Sequence, residues 1–287
     1  MIRTRRFTVW VLLALLSLQT ACGGMLSGGR LGRWVAFTSP RVGVGFNLFS
    51  PEQDIELGEV SAEEIRRQLV LLRDERTERY VQRLGERLAA QAPGYKFPYK
   101  FVVVASPEVN AFALPGGYVF VNQGAIEAAH SEGELAGVLA HEIAHVALRH
   151  GTTQASRAYL AKTWMSLLNT VTGGCQGEVR QLAAVIGGAG ANMLFIKSNR
   201  SAEVQADAEG ARMMAAAGYD PHDMADFFAS LYERSDVRAQ EIASDHPDPA
   251  SRVAAIDEII AGLMQTPAPT HDSDEFRRIK ARLAGRR

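Results

Sequence analysis

The sequence predicts an α+β fold that is mainly α-helical, with one small β-sheet. Three observations carry that expectation. Helix-start signals recur at Ser50-Pro-Glu-Gln53, Ser61-Ala-Glu-Glu64 and Ser131-Glu-Gly-Glu134, each a hydroxyl residue followed three places later by Glu or Gln. Only one stretch, from Tyr99 to Val121, is β-rich and bounded by turn residues. At 287 residues, 47% hydrophobic and 22% charged, the chain can bury one substantial core with a small appendage.

Taken in order, residues 1–22 read as an export signal. Arg3, Arg5 and Arg6 precede an apolar run from Phe7 to Leu18 that is short for a bilayer span. Cys22 follows Leu18-Gln-Thr-Ala21, which resembles a bacterial lipobox with Gln19 in the place of the usual Leu. Lipidated Cys22 is one expectation; cleavage after Gly23 by an ordinary signal peptidase is the other. Gly23 and Gly24 lack the acidic residue of inner-membrane retention signals, so under the first reading the outer membrane is the address. Residues 23–49 form a Gly-rich tether and lead-in. Cys175, the other cysteine, reads as a small buried side chain.

A short helix is expected from Ser50 to Gly58, then a long amphipathic helix from Ser61 to about Ala90 whose Arg and Glu residues form a solvated face. Tyr99 to Val104 is a strand, and Val109 to Val121 a hairpin about Pro115-Gly-Gly117, with Pro and Gly placed for a type II turn. Asn110, Ala111, Phe112 and Ala113 form an extended run close in sequence to the next helix. An exposed edge there would hold a peptide by main-chain hydrogen bonds, and an ordinary sheet strand is the equal alternative. One helix should run from Ser131 to His150 and stop at Gly151. The apolar stretches 155–168 and 182–195 suit a helical hairpin, packed on the core or resting on a membrane surface or on substrate. Further helices are expected at 198–217, 220–234 and 252–263. Thr266 to Thr270 is a linker, and Ser273 to Arg287 a short basic helix, solvated or, as the alternative, touching anionic lipid.

The chemistry concentrates in His141-Glu-Ile-Ala-His145. Two His four residues apart leave one helix face together, as two corners of a tetrahedral zinc site need, and Glu142 lies where it can deprotonate a water. The third ligand should be a downstream carboxylate or imidazole. Glu203 and Asp207 share a helix face; one can bind the metal while the other reaches a ligand histidine's free N–H. Position 151 is Gly, which excludes a third His six residues after His145, and His150 reads as a structural cation at a helix end. A net charge of −1 without a basic stripe argues against a nucleic-acid partner.

Together His141-Glu-Ile-Ala-His145, Glu203-Val-Gln-Ala-Asp207 and Asn110-Ala-Phe-Ala-Leu-Pro-Gly-Gly117 resemble the zinc metallopeptidase family of the CAAX prenyl endopeptidases, HtpX and BepA. Ser50-Pro-Glu-Gln-Asp-Ile-Glu-Leu-Gly58 is similar to the lead-in of its periplasmic members, and the likeness spans roughly residues 50–262. The resemblance implies a zincin-like domain of the gluzincin type at 50–265, followed by a basic tail at 266–287. It implies one Zn²⁺ held by His141, His145 and Glu203, Glu142 as general base and Asp207 as the carboxylate behind a ligand. His246, in Asp245-His-Pro247, is a candidate fourth ligand that leaves before substrate enters, and Arg252 a candidate stabiliser of the transition state or a helix cap. The implied activity is endopeptidase cleavage of misfolded or misassembled envelope proteins, with polypeptide substrates and outer-membrane assembly components as partners. The expected location is periplasmic, anchored at the outer membrane through Cys22, or soluble in the periplasm. A chaperone or assembly factor with a latent or structural metal site, and a zinc hydrolase of cell-wall peptide, are the rival expectations.

Overall fold

The computed structural model describes residues 46–158, 160, 200–233, 249–263 and 268–285, all within one unit, Val42–Arg287. The export segment with Cys22, the tether to residue 45, most of the 155–195 hairpin with Cys175, and His246 lie outside the described residues.

Helix α1 (Pro51–Gln68) begins with a full capping box: Ser50 accepts from the Gln53 N–H, and the Gln53 side chain accepts from the Ser50 N–H. It does not stop at Gly58, as the sequence suggests. A Cβ there would stand 2.0 Å from the Pro115 carbonyl oxygen, so glycine is present to let α1 lie against the hairpin turn. The break comes after Gln68 instead, where the chain bonds to the sheet. Leu72 N–H donates to Val103 O, and Ala105 N–H to Val70 O. Asp74 then caps α2 (Glu75–Ala89) by accepting from the Arg76 and Thr77 N–H groups. The expected single helix from 61 to 90 is therefore two, because pairing with a strand offers residues 70–72 backbone partners that a helix would forgo.

Three strands follow: β1 (Lys100–Val104), β2 (Ala111–Leu114) and β3 (Tyr118–Asn122), in the order β1-β3-β2. β3 runs parallel to β1 and antiparallel to β2. In the hairpin turn Gly116 has φ 78° and ψ −2°, the values of the third position of a type II turn. The period-2 alternation of β1 splits its side chains between two cores. Val102 and Val104 join Ala62 and Ile65 of α1, whereas Phe101 and Val103 join the larger core with Leu84 and Leu139.

After α3 (Gln123–Ala128), helix α4 (Glu132–Ala147) carries the H-E-x-x-H run. Ser131 accepts from the Glu134 N–H, while the Glu134 carboxylate accepts from the His130 N–H, so the reciprocal half of the box is displaced by one residue. α4 is buried along nearly its whole length. It ends at Ala147, short of the expected His150, and Arg149 turns left-handed at φ 57°. That conformation costs a non-glycine residue about 1–2 kcal/mol. It is held by the Arg149 guanidinium, which donates to both oxygens of buried Asp54, at 2.6 and 3.0 Å, and to the Phe49 carbonyl. A new helix runs over 150–158, so Gly151 lies inside it and terminates nothing.

Helix α5 (Arg200–Ala216) packs along α4, with α6 (His222–Glu233) and α7 (Pro249–Ala261) around them. At the α4–α5 crossing a Cβ on Gly210 would meet the backbone at Ala140 and His141 at 3.3 Å, which is how close the two helices come. The last helix, α8 (Asp274–Ala284), corrects the expectation of a solvated tail. Phe276, Ile279 and Leu283 are buried in the main core. Ser273 donates to Glu132, Lys280 to the Ala129 carbonyl and Arg282 to Asp74. The basic residues lie on the outer face of an amphipathic helix, and its apolar stripe is buried. Phe276→Ala should accordingly cost about 3–5 kcal/mol, read as a lower urea midpoint. A loss under about 0.5 kcal/mol would return the tail to solvent. Among the described residues no helix is long and apolar enough to cross a membrane.

Candidate metal centre

Helix α4 places His141 and His145 one turn apart, and α5 brings Glu203 up to both. His141 Nε2 and His145 Nε2 are 3.0 Å apart. Each lies 3.4 Å from a Glu203 oxygen: Oε2 for His141 and Oε1 for His145. Among the described residues this is the one cluster whose His, Cys, Asp or Glu atoms suit a cation. Four-coordinate zinc, with bonds of about 2.0–2.1 Å, sets its ligands about 3.3 Å apart. Two imidazoles and one carboxylate at 3.0–3.4 Å therefore fit it. Glu142 sits next to His141 on the same helix and is buried.

Behind His141 lies a second layer. Its Nδ1 is 2.9 Å from Asp207 Oδ1, so Nδ1–H donates to the carboxylate and Nε2 is the atom turned to the cluster, ready to offer its lone pair to a metal once its own proton leaves. Arg252 of α7 grips the same carboxylate at both oxygens, Nε to Oδ2 at 2.9 Å and Nη2 to Oδ1 at 2.6 Å. Its Nη2 also approaches His141 Nδ1 at 3.1 Å. Both are donors once His141 bonds Asp207, so the approach follows from sharing Oδ1 and is no hydrogen bond. The guanidinium stacks 3.9 Å over the Phe228 ring, which also meets His141 edge-on.

The electrostatics follow from this packing. Burial raises the cost of ionising Asp207, but its hydrogen bonds with Arg252 and His141 outweigh that and hold the carboxyl below its ordinary range. Burial and the Arg252 charge both disfavour a charged His141. The hydrogen bonds with Asp207 and Glu203 overcome them and hold the ring at about 9.

Arg252 is 3% exposed, and its guanidinium lies on Asp207 and Glu203 behind the ligands. His150 differs from its expected place. It is buried, its Nδ1 lies 3.0 Å from His145 Nδ1, and burial lowers its pKa, so it is no helix-end cation. Sequence reasoning passed over it because a continuous helix would carry position 150 to another face than 145; the left-handed Arg149 turns it back. Phe228 was missed as well, and an apolar residue on a helix gives no signal of such a contact. Ala111, Phe112 and Ala113 form β2, at the sheet edge and against α4, with Asn110 just before it. The Ala111 side chain is buried and Phe112 stacks on Phe120, so that edge offers its main chain more than its side chains.

The sequence profile of Peptidase family M48 matches residues 75–260. The chain is 30% identical over 256 residues to a beta-barrel assembly-enhancing protease of Escherichia coli (strain K12), covering 87% of this chain and 52% of that protein. It is 31% identical over 223 residues to a putative beta-barrel assembly-enhancing protease of Vibrio cholerae, covering 75% and 46%. With a mitochondrial metalloendopeptidase OMA1 of Schizosaccharomyces pombe it shares 31% over 185 residues, covering 62% and 52%. The chain spans about half the length of the curated relatives it matches.

Proposed function

From the premise that this chain belongs to peptidase family M48, we propose that it is a zinc-dependent endopeptidase of the bacterial cell envelope, cleaving misfolded or misassembled proteins. The observation that carries the reading is the convergence of His141, His145 and Glu203 beside Glu142. A zinc ion there supplies a Lewis acid for the scissile carbonyl and lowers the pKa of a water towards about 7.

The remaining work falls to the chain itself. Glu142 takes a proton from the attacking water and delivers it to the leaving amine. Asp207, held by Arg252, keeps His141 in the tautomer that turns Nε2 inward. The edge strand β2 takes an extended peptide by main-chain hydrogen bonds alongside α4. The envelope location rests on the Arg3 to Leu18 export signal and on Cys22 as lipid anchor. It is further supported by relatives named for β-barrel assembly, which also suggest outer-membrane proteins as the substrate class.

Purified protein should bind one zinc ion and cleave unfolded casein or a misfolded porin, and a chelator should stop the cleavage. Binding displaces the His141 proton, so apparent affinity should rise about tenfold per pH unit below that ring's pKa and level off above about 9. Calorimetry in buffers of different ionisation enthalpy measures that proton. Glu203→Ala should lose the metal. Protein that binds zinc but leaves both substrates intact would be a holding factor, and the peptidase reading would fall.

A further inference from the structure

The outer side of His145 is built differently from that of His141. Where His141 leans on a carboxylate, His145 leans on a neutral imidazole: its Nδ1 faces His150 Nδ1 at 3.0 Å, with the rings edge to face at 76°. The chain of contacts continues outward. His150 Nε2 is 3.4 Å from Gln205 Oε1, and Gln205 Nε2 donates to Ser201 Oγ at 3.1 Å.

One proton assignment satisfies every link. His145 turns Nε2 towards His141 and Glu203. To offer a lone pair there it must carry its proton on Nδ1. That N–H needs an acceptor, and His150 Nδ1 is the atom in front of it. His150 must then carry its own proton on Nε2, which Gln205 Oε1 accepts. The reverse tautomer of His150 would set two N–H groups against each other at 3.0 Å. We propose that His150 is a positioning residue of the metal centre, fixing the ring and tautomer of His145, with Gln205 fixing His150 in turn.

The backbone is shaped to allow this. Arg149 leaves the α4 helix left-handed, anchored on Asp54 and the Phe49 carbonyl, and delivers the next residue back over His145. Gln205 comes from α5 between Glu203 and Asp207. One helix therefore supplies a ligand, the support of one histidine and the support behind the other. A neutral acceptor polarises its histidine less than a carboxylate does, so His145 is the weaker base of the pair.

This inference rests on the metal-centre reading, and one titration separates the two. Zinc affinity is measured by competition with a chromogenic chelator for wild type, His150→Leu, His150→Asn and Gln205→Leu, together with the visible spectrum of each protein loaded with Co²⁺. His150→Leu should bind zinc about 10- to 100-fold more weakly with a shifted Co²⁺ band. His150→Asn, whose amide oxygen can accept, should recover most of the loss. Gln205 is exposed, so Gln205→Leu keeps the fold, and it should weaken binding several-fold; it decides the matter if His150→Leu does not fold. Wild-type affinity in Gln205→Leu together with equal losses in Leu and Asn at 150 would mean that His150 only fills space, and overturns the proposal. So does wild-type affinity in all three variants. Wild-type protein that binds no zinc overturns the metal-centre reading and this inference with it.

Discussion

Replacing Glu142 with Gln should leave the protein folded and metal-loaded while cutting peptide turnover by about 10²- to 10⁴-fold. Glu142 is 4% exposed, and the amide keeps its shape and its place on α4. What it cannot do is accept a proton, so the attacking water stays undeprotonated and the leaving amine unprotonated. Because the lost interaction exists only in the transition state, kcat and kcat/KM should fall together with KM unchanged. Single-turnover cleavage of a labelled unfolded substrate, run beside a zinc determination, measures both. Turnover within a few-fold of wild type would remove Glu142 from the mechanism. Equal rescue of aggregating substrate by wild type and variant, without cleavage by either, would favour the holding factor.

Arg252→Leu should be among the most damaging single changes to stability. The guanidinium and the Asp207 carboxylate are 3% and 0% exposed, joined at both oxygens. Removing one member of such a pair strands the other charge, at a cost of about 3–5 kcal/mol. The sign of the pH dependence follows. Asp207 has a folded pKa below its unfolded value, so in wild type it contributes stability above an unfolded pKa of about 3.9, lost as pH falls through the folded value. Without Arg252 that contribution shrinks, so the gap between wild type and variant should be widest near neutrality and close in acid, as the carboxyl protonates. Urea midpoints of both proteins from pH 3 to 7 test this. A gap that does not narrow in acid would mean that Arg252 acts by packing on Phe228 and not by charge.

Much of the site was legible because its chemistry is local. His141 and His145 lie one helical turn apart, and so do Glu203 and Asp207; that spacing alone sets each pair on one face. Which carboxylate faces the cluster was left open by spacing, since the answer depends on how α5 lies against α4. The caps at Ser50 and Ser131 were legible for the same reason: a hydroxyl and an N–H three residues on meet without help from the rest of the chain.

The misjudged elements were those whose partners are distant in sequence. Gly58 looks like a stop until the Pro115 carbonyl is placed against it. Residues 70–72 leave the helix because Val103 and Ala105 offer backbone partners. The C-terminal helix looks solvated until its apolar stripe meets the core.

By itself, then, the sequence determined a mainly helical α+β chain, its strand hairpin and a His-Glu-His constellation on one helix, because propensity, capping and periodicity act over a few residues. Only the tertiary structure decided that Glu203 joins the histidines, that Asp207 and Arg252 lock behind His141, and that Arg149 turns His150 back onto His145. Those outcomes depend on which buried charges and ring nitrogens find partners from other helices, and a buried polar group takes the partner that packing brings within about 3 Å.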